Sequence, residues 1–171
     1  MLKQIEKRRS CRAYDPDRMV EEEKIQEVIN AGLHAATGMG TQNGIIIAIT
    51  NKEVRNKLME LNKTIFNRDS DPFYGAPVIL LVAVMNCAFN KYDGACMIEN
   101  MLVEATNQGL GSCWIHRAKE ELELKEGRDI FISLGLNLEM YEGVGHVILG
   151  YPLENAYREK TIKENRVFWI K

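Results

Sequence analysis

The sequence predicts an α+β domain, and three observations carry that reading. Short apolar runs of strand length, rich in β-branched residues, recur along the 171 residues. Between them lie longer segments whose apolar residues return at helical spacing. The two kinds alternate without a fixed period, and no internal repeat or low-complexity stretch interrupts them.

Taken in order, residues 20–35 place Ile25, Val28, Ile29 and Leu33 on one helical face, opened by an acidic first turn, Glu21 to Glu23, that complements a helix N-terminus. "GIIIAIT" (44–50) is bounded by Gly44 and Asn51 and reads as a buried strand. Residues 53–66 return to helix period through Val54, Leu58, Leu61 and Ile65, and "APVILLVAVM" (76–85) is a second core strand. Asp93 is the expected N-cap of a long helix carrying Ala95, Ile98, Leu102 and Ala105, closed by Gly109. A short strand follows at 112–115, then a helical segment over 120–134 with a break expected at Gly127, and a long strand, "GVGHVILGYP" (143–152), stopped by Pro152. A polar stretch then leads to "RVFWIK" (166–171), an ending too apolar for a free tail.

Composition narrows the function. Lys and Arg number 22 against 24 Asp and Glu, a formal charge of -2, which offers no basic field for nucleic acid. With 46% hydrophobic residues, the chain suits one domain, 1–171, with a substantial core. Met1 to Ser10 is charged and lacks a signal-peptide core, and the longest apolar run, 77–85, is too short to cross a bilayer. A cytoplasmic protein with no membrane partner is expected. Cys11, Cys87, Cys96 and Cys113 show no C-x-x-C spacing, and His34, His116 and His146 form no ligand pair, so neither a disulfide framework nor a metal site is expected. Strand alternation turns the Cys113 side chain into the core. No Ser/His/Asp or Cys/His arrangement is present, and no side chain is assigned as catalytic.

One cluster stands out against the neutral background. "RRSCRAY" (8–14) places Arg8, Arg9 and Arg12 around Ser10. These cations can answer the dipole of a short N-terminal helix, or they can form a phosphate clamp, in which guanidinium forks and a hydroxyl make charge-assisted bonds to phosphate oxygens. The residues alone leave both readings open.

R-R-S-x-R-x-[FY] near the N-terminus resembles the opening of the FMN-dependent nitroreductase family, and the likeness continues in order along the chain. "AATGMGTQ" (35–42) resembles the family's A-P-[ST]-x-x-N-x-Q loop, and "DPFYGAPVILLVAV" (71–84) its G-A-P strand. "DGACMIENMLVEATNQGLGSCWI" (93–115) resembles its central helix and flavin-flanking strand, and "LGL" (134–136) with "LGYP" (149–152) its closing segment. The sequence also departs from the pattern: Gly40 stands where Asn is common, Asn43-Gly44 where Pro and an aromatic are frequent, Ile162 where Arg is common, and His116 where Gly is frequent.

The resemblance implies a three-layer α+β fold with a central, mainly antiparallel mixed sheet flanked by helices, in a homodimer whose 152–171 extension is exchanged with the partner subunit. Val167, Phe168, Trp169 and Ile170 would then be covered at the partner's sheet edge. It implies FMN as cofactor and NADH or NADPH as reductant. Arg8, Arg9, Ser10 and Arg12 would contact the phosphate and ribityl chain, with Arg12 reaching towards the pyrimidine side of the ring. Trp114, Ile115 and His116 would line the isoalloxazine, with backbone amides near Ile115 and His116 offered to N5. Thr37, Gly38 and Gln42 would come from the loop of the second chain, and Lys160 and Lys163 would supply late cations to the phosphate. The implied activity is ping-pong transfer of electrons from NAD(P)H through flavin to a small electrophile, nitroaromatic or quinone in type. The alternative is an FMN-binding redox sensor or flavin-handling protein with little reductase activity. An acyl-CoA transferase reading of "QGLGS" (108–112) fails because a strand, not a helix, follows, and "GVGHVILG" (143–150) lacks G-x-G-x-x-G.

Overall fold

A computed structural model describes residues 1–154 and 156–171; Asn155, inside the expected 152–171 extension, lies outside the described residues. The elements run α1 (Lys3–Lys7), α2 (Glu22–Leu33), β1 (Gly44–Ile49), α3 (Lys52–Phe66), β2 (Val78–Met85), α4 (Asn90–Asn107), β3 (Gly111–Ile115), α5 (Ala118–Glu123), α6 (Lys125–Asp129) and β4 (Tyr141–Gly150). The strands form one sheet in the order β1-β2-β4-β3, and every neighbouring pair is antiparallel. Among the described residues, parallel pairing is confined to a bridge between Ser10 and Ser112 on the outer side of β3.

Alternation along the strands builds two cores, one on each face of the sheet. Val78, Leu80, Val82 and Val84 of β2 pack with Val28 of α2 and with Ile98, Met101 and Leu102 of α4. Ile79, Leu81 and Ala83 point the other way, onto Leu58 of α3 and Ala118 and Leu122 of α5. Because β2 is buried on both faces, its sequence reads as a continuous apolar run rather than an alternating one. The result is the expected three-layer α+β arrangement: α2 and α4, sheet, then α3 and α5. Among the described residues no helix is long and apolar enough to cross a membrane.

Two local expectations shift. The long helix begins at Asn90, so Asp93 is not its N-cap. It lies buried in the first turn, where Oδ1 accepts a hydrogen bond from the Gly38 amide at 2.9 Å and pins the 35–44 loop to α4. The far end is as expected, Gly109 following the last turn with φ 72 and Leu110 donating back to the Ala105 carbonyl at 2.8 Å. The second shift is in 120–134, which breaks at Leu124, extended at φ -84 and ψ 139, rather than at Gly127. Gly127 sits within α6, where a Cβ would overlap the Glu121 carbonyl, so it serves close approach of two turns rather than helix breaking.

A β-bulge between Val82 and Ala83 of β2 sets Val144 of β4 outside the register. The next residue, Gly145, lies under the Trp114 indole, which a Cβ would overlap. The segment 157–171 is exposed throughout, and Phe168 and Trp169 are 88% and 79% exposed, so neither packs on the rest of the chain.

Candidate functional site

The outer edge of β3 gathers most of the predicted residues. Cys11 donates its amide to the Ser112 carbonyl at 2.8 Å, which lays the N-terminal segment against the strand and brings Ser10 beside Ser112. Arg8 is half-buried and faces Glu99 of α4 across 3.6 Å, whereas Arg12 is exposed and paired with no carboxylate among the described residues. Arg8 and Arg12 both act on the Cys113 thiol, drawing its pKa down, as does a hydrogen bond from Ser10, yet burial outweighs all three and pushes the thiol up. Cys113 is thus turned into the core as alternation requires, and Cys11, also buried, is pushed up by desolvation.

The other face of the strand carries Ser112 and Trp114. Among the described residues, both are without a partner at a buried polar atom, Ser112 Oγ and Trp114 Nε1. Trp114 and the exposed His116 follow one another along the strand end, ring centroids 5.8 Å apart. They border a cleft of about 480 Å³ together with Lys91, Arg117, Glu142 and Val144.

Other predicted residues stand elsewhere. Arg9 is turned back onto the end of α1, donating to the Arg8 carbonyl at 2.9 Å and to the Glu6 carbonyl, which is the helix-end role rather than a free clamp. It lines a separate cleft of about 560 Å³ with Lys7, Thr106, Gly109, Tyr157 and Arg158. Thr37, Gly38 and Gln42 lie in the loop that precedes β1, the edge strand opposite β3, and Gly38 is held on α4 by Asp93. Thr37 and Gln42 line a small cleft there of about 230 Å³ with Gly32, Ala35, Gly44 and Met97. Met39 and Gln42 both have positive φ, 56 and 50, and the Gln42 amide donates to Thr37 Oγ1 at 3.2 Å. Lys160 and Lys163 are exposed on the tail. The chain therefore brings Arg8, Ser10, Arg12, Trp114, Ile115 and His116 to one edge, and commits Arg9 to the end of α1 and the 35–44 loop to α4.

A group of buried polar residues has no counterpart in the sequence reading. Asn62, Glu121 and His146 come from α3, α5 and β4, and no spacing links them. The one available signal was His146, a polar residue inside an otherwise apolar strand run.

Comparison with known proteins agrees with this architecture. The family model described as Nitroreductase family matches residues 5–72. A nitroreductase with bound FMN from Bacteroides fragilis is 29% identical, with a TM-score of 0.90, over 99% of this chain and 97% of that one. Proteins bearing the provisional name NADH dehydrogenase/NAD(P)H nitroreductase are similar in sequence. The one from Archaeoglobus fulgidus is 26% identical over 88% of this chain and 84% of its own length. That from Methanothermobacter thermautotrophicus is 27% identical over 98% and 85%. The N-terminal match, the full-length structural likeness and the order of motifs along the strands all point to similarity with the nitroreductase family.

Proposed function

We propose that this protein is a cytoplasmic, homodimeric FMN-dependent oxidoreductase that takes reducing equivalents from NADH or NADPH and delivers them to a small electrophile of the nitroaromatic or quinone type. The full-length likeness to the FMN-bound Bacteroides fragilis nitroreductase carries this reading. When bound, FMN supplies a two-electron carrier that serves reductant and acceptor in turn, a ping-pong scheme.

The residues present fit such a group. The β3 edge offers an unpaired guanidinium at Arg12, a second at Arg8 held only by a 3.6 Å contact, and the Ser10 hydroxyl, the donors that a phosphate takes. Ser112 Oγ and Trp114 Nε1, buried and unpartnered on the same strand, are polar atoms of the kind a bound group satisfies. Arg8, Ser10 and Arg12 are assigned to the phosphate and Trp114, Ile115 and His116 to the ring, whereas Arg9 contributes by holding the segment at the end of α1. Lys160 and Lys163 add cations from the tail. No side chain is assigned to proton transfer or covalent chemistry; the chain binds, orients and excludes water.

Separation of loop 35–44 from the β3 edge supports a site completed by a second copy, with Thr37, Gly38 and Gln42 of the partner subunit facing the flavin. The exposed tail supports the same assembly. Among the described residues nothing pairs with the outer side of the edge strand β1, whereas the outer side of β3 is bridged by the chain's own Ser10. The exchanged tail is therefore assigned to β1 of the partner, where it would satisfy an open edge and bury two aromatic side chains per chain.

The test is the visible spectrum and FMN titration of the purified protein, followed by NAD(P)H oxidation with and without a nitroaromatic or quinone acceptor. Stoichiometric yellow protein and acceptor-dependent oxidation are expected. Colourless protein unchanged by FMN removes the reading, and bound FMN without acceptor-dependent oxidation leaves the sensor alternative.

A further inference from the structure

The buried polar group behind β3 forms one connected network. His146 and Glu121 are both 0% exposed, with Nε2 and Oε2 2.8 Å apart, and the other ring nitrogen, Nδ1, meets the Ile115 carbonyl at 3.3 Å. Asn62, equally buried, donates its amide to Glu121 Oε1 and to the His116 carbonyl, the latter at 3.2 Å, and accepts from Arg117 Nε at 2.8 Å. A carbonyl can only accept, so Nδ1 carries a hydrogen; the Nε2 to Oε2 contact then holds one shared proton, whichever atom bears it. Each side-chain polar atom of Asn62, Glu121 and His146 has a partner.

Packing alone does not call for these residues, because apolar side chains of similar size fill such a space without the desolvation cost of polar ones. What the network does hold is the backbone at the end of β3: two successive carbonyls, Ile115 and His116, are fixed from the side of α3 and α5. No peptide bond in the described chain is cis, and in a trans peptide the carbonyl and the following amide point in opposite directions. The amides of His116 and Arg117 are therefore aimed away from the network. Among the described residues, neither donates to a backbone carbonyl outside the helices and strands. Arg117 adopts a left-handed φ of 83, uncommon for a side-chain-bearing residue, and is held there by Asn62 and by the Phe66 ring 4.0 Å below its guanidinium.

We infer that Asn62, Glu121 and His146 are positioning residues, which fix the 115–117 backbone so that the amides of His116 and Arg117 are presented as a preorganised pair of donors to the flavin. This rests on the FMN reading above, and it adds residues from the opposite face of the sheet to the site. Preorganised donors bind without a reorganisation cost at the moment they are used, and the network supplies that rigidity to a strand end that would otherwise fray.

The experiment compares FMN affinity, apo-protein melting and amide hydrogen exchange in Asn62→Leu, His146→Phe and Glu121→Gln. Glu121→Gln is the conservative control: its amide can donate to Nε2 while its oxygen still accepts from Asn62, so affinity within about twofold of the parent is expected. Asn62→Leu and His146→Phe each release a held carbonyl, and a loss of FMN affinity of about tenfold or more is expected from each. In both, the slowing of exchange that FMN brings to the His116 and Arg117 amides should disappear. Should either variant fail to fold, the His146 Nδ1–H resonance of the intact protein is followed by NMR during FMN addition, and it should shift. Parent-like affinity and protection in the folded variants, or an unmoved resonance in a parent that binds FMN, overturns the inference. A parent that takes up no FMN defeats the flavin reading itself, and the positioning role falls with it.

Discussion

The two edges of the sheet are finished differently. At β3 the chain covers its own edge: Ser10 bridges to Ser112, Cys11 donates to the Ser112 carbonyl, and Tyr14, 3% exposed, bridges to Pro152 and donates its hydroxyl to the Cys11 carbonyl at 3.1 Å. At β1 the outer backbone is left open among the described residues, Ala48 is exposed, and the neighbouring 35–44 loop holds itself in left-handed conformations. A covered edge can collect cations and unpartnered polar atoms into a binding surface. An open edge beside a displaced loop is a surface for another chain. The difference teaches that one subunit contains the anchoring half of the proposed site and the docking half of the proposed dimer, at opposite ends of one sheet.

The largest effect is expected from removing the tail. A chain ending at Glu164 loses Val167, Phe168, Trp169 and Ile170, of which the two aromatics alone contribute roughly 1.5 to 3 kcal/mol each when covered. Light scattering should show a dimer for the full chain and a monomer for the shortened one, with a lower melting temperature. A shortened chain that stays dimeric and equally stable would show that β1 is not where the tail docks, and the contrast between edges would lose half its meaning.

Next in size is the anchoring half. Arg12→Ala removes an exposed guanidinium that has no carboxylate partner among the described residues, so melting of the apo-protein should be nearly unchanged. A charge-assisted phosphate bond is worth roughly 1.5 to 3 kcal/mol, and FMN binding should weaken by about 10- to 150-fold. Arg9→Ala sharpens the test, because Arg9 is engaged with the Glu6 and Arg8 carbonyls and its loss should loosen α1 while affecting FMN less than Arg12→Ala does. Equal losses from the two variants would mean that Arg9 leaves the helix end to join the clamp.

What the sequence showed of this molecule follows from how far each signal reaches. Helix positions were legible from periodicity in α2 and α3, and β2 from its continuous apolar run, because each signal is written in neighbouring residues. Asp93 misled because its acceptor is used by the Gly38 amide 55 positions away instead of by its own helix end. Gly127 misled because its lack of a side chain serves contact with Glu121 rather than chain reversal. Arg8, Ser10 and Arg12 were legible as a cluster, but the commitment of Arg9 to the helix end was not, since three arginines in five residues carry no sign of which faces the ligand. Asn62, Glu121 and His146 converge only in three dimensions.

A smaller effect separates the edges by pH. Cys11, Tyr14, Cys113 and Tyr157 all belong to the β3 side, and burial pushes the pKa of each upward. An acid whose folded pKa is raised keeps its proton in the native state where the unfolded chain has released it, so stability is intact below the unfolded value and falls as pH climbs past it. Ordinary thiols titrate near 9.0, and melting temperature should fall progressively above that pH. Hydrogen exchange should show the N-terminal segment and β3 loosening before β1 does. Uniform loosening across the sheet would count against the β3 edge as the alkaline weak point.

The smallest expected effect is at Cys113, which neighbours Trp114 on the proposed flavin wall and invites a redox role. Two observations oppose that role. The side chain is 4% exposed and belongs to the core between the sheet and α3 and α5, on the face opposite Ser112 and Trp114. Burial also pushes its thiol above 9.0, despite the pull of Ser10, Arg12 and Arg8, so at neutral pH the reactive thiolate is scarce where a redox cysteine needs it. Cys113→Ser should therefore leave NAD(P)H oxidation at the parent rate, with a modest loss of stability from placing a hydroxyl in an apolar contact. A thiol reagent applied to the native protein at neutral pH should likewise leave Cys11 and Cys113 unmodified. Loss of turnover in Cys113→Ser with FMN still bound would mean that the sulfur reaches across the strand into the site, and that the two faces of β3 are chemically less separate than the packing indicates.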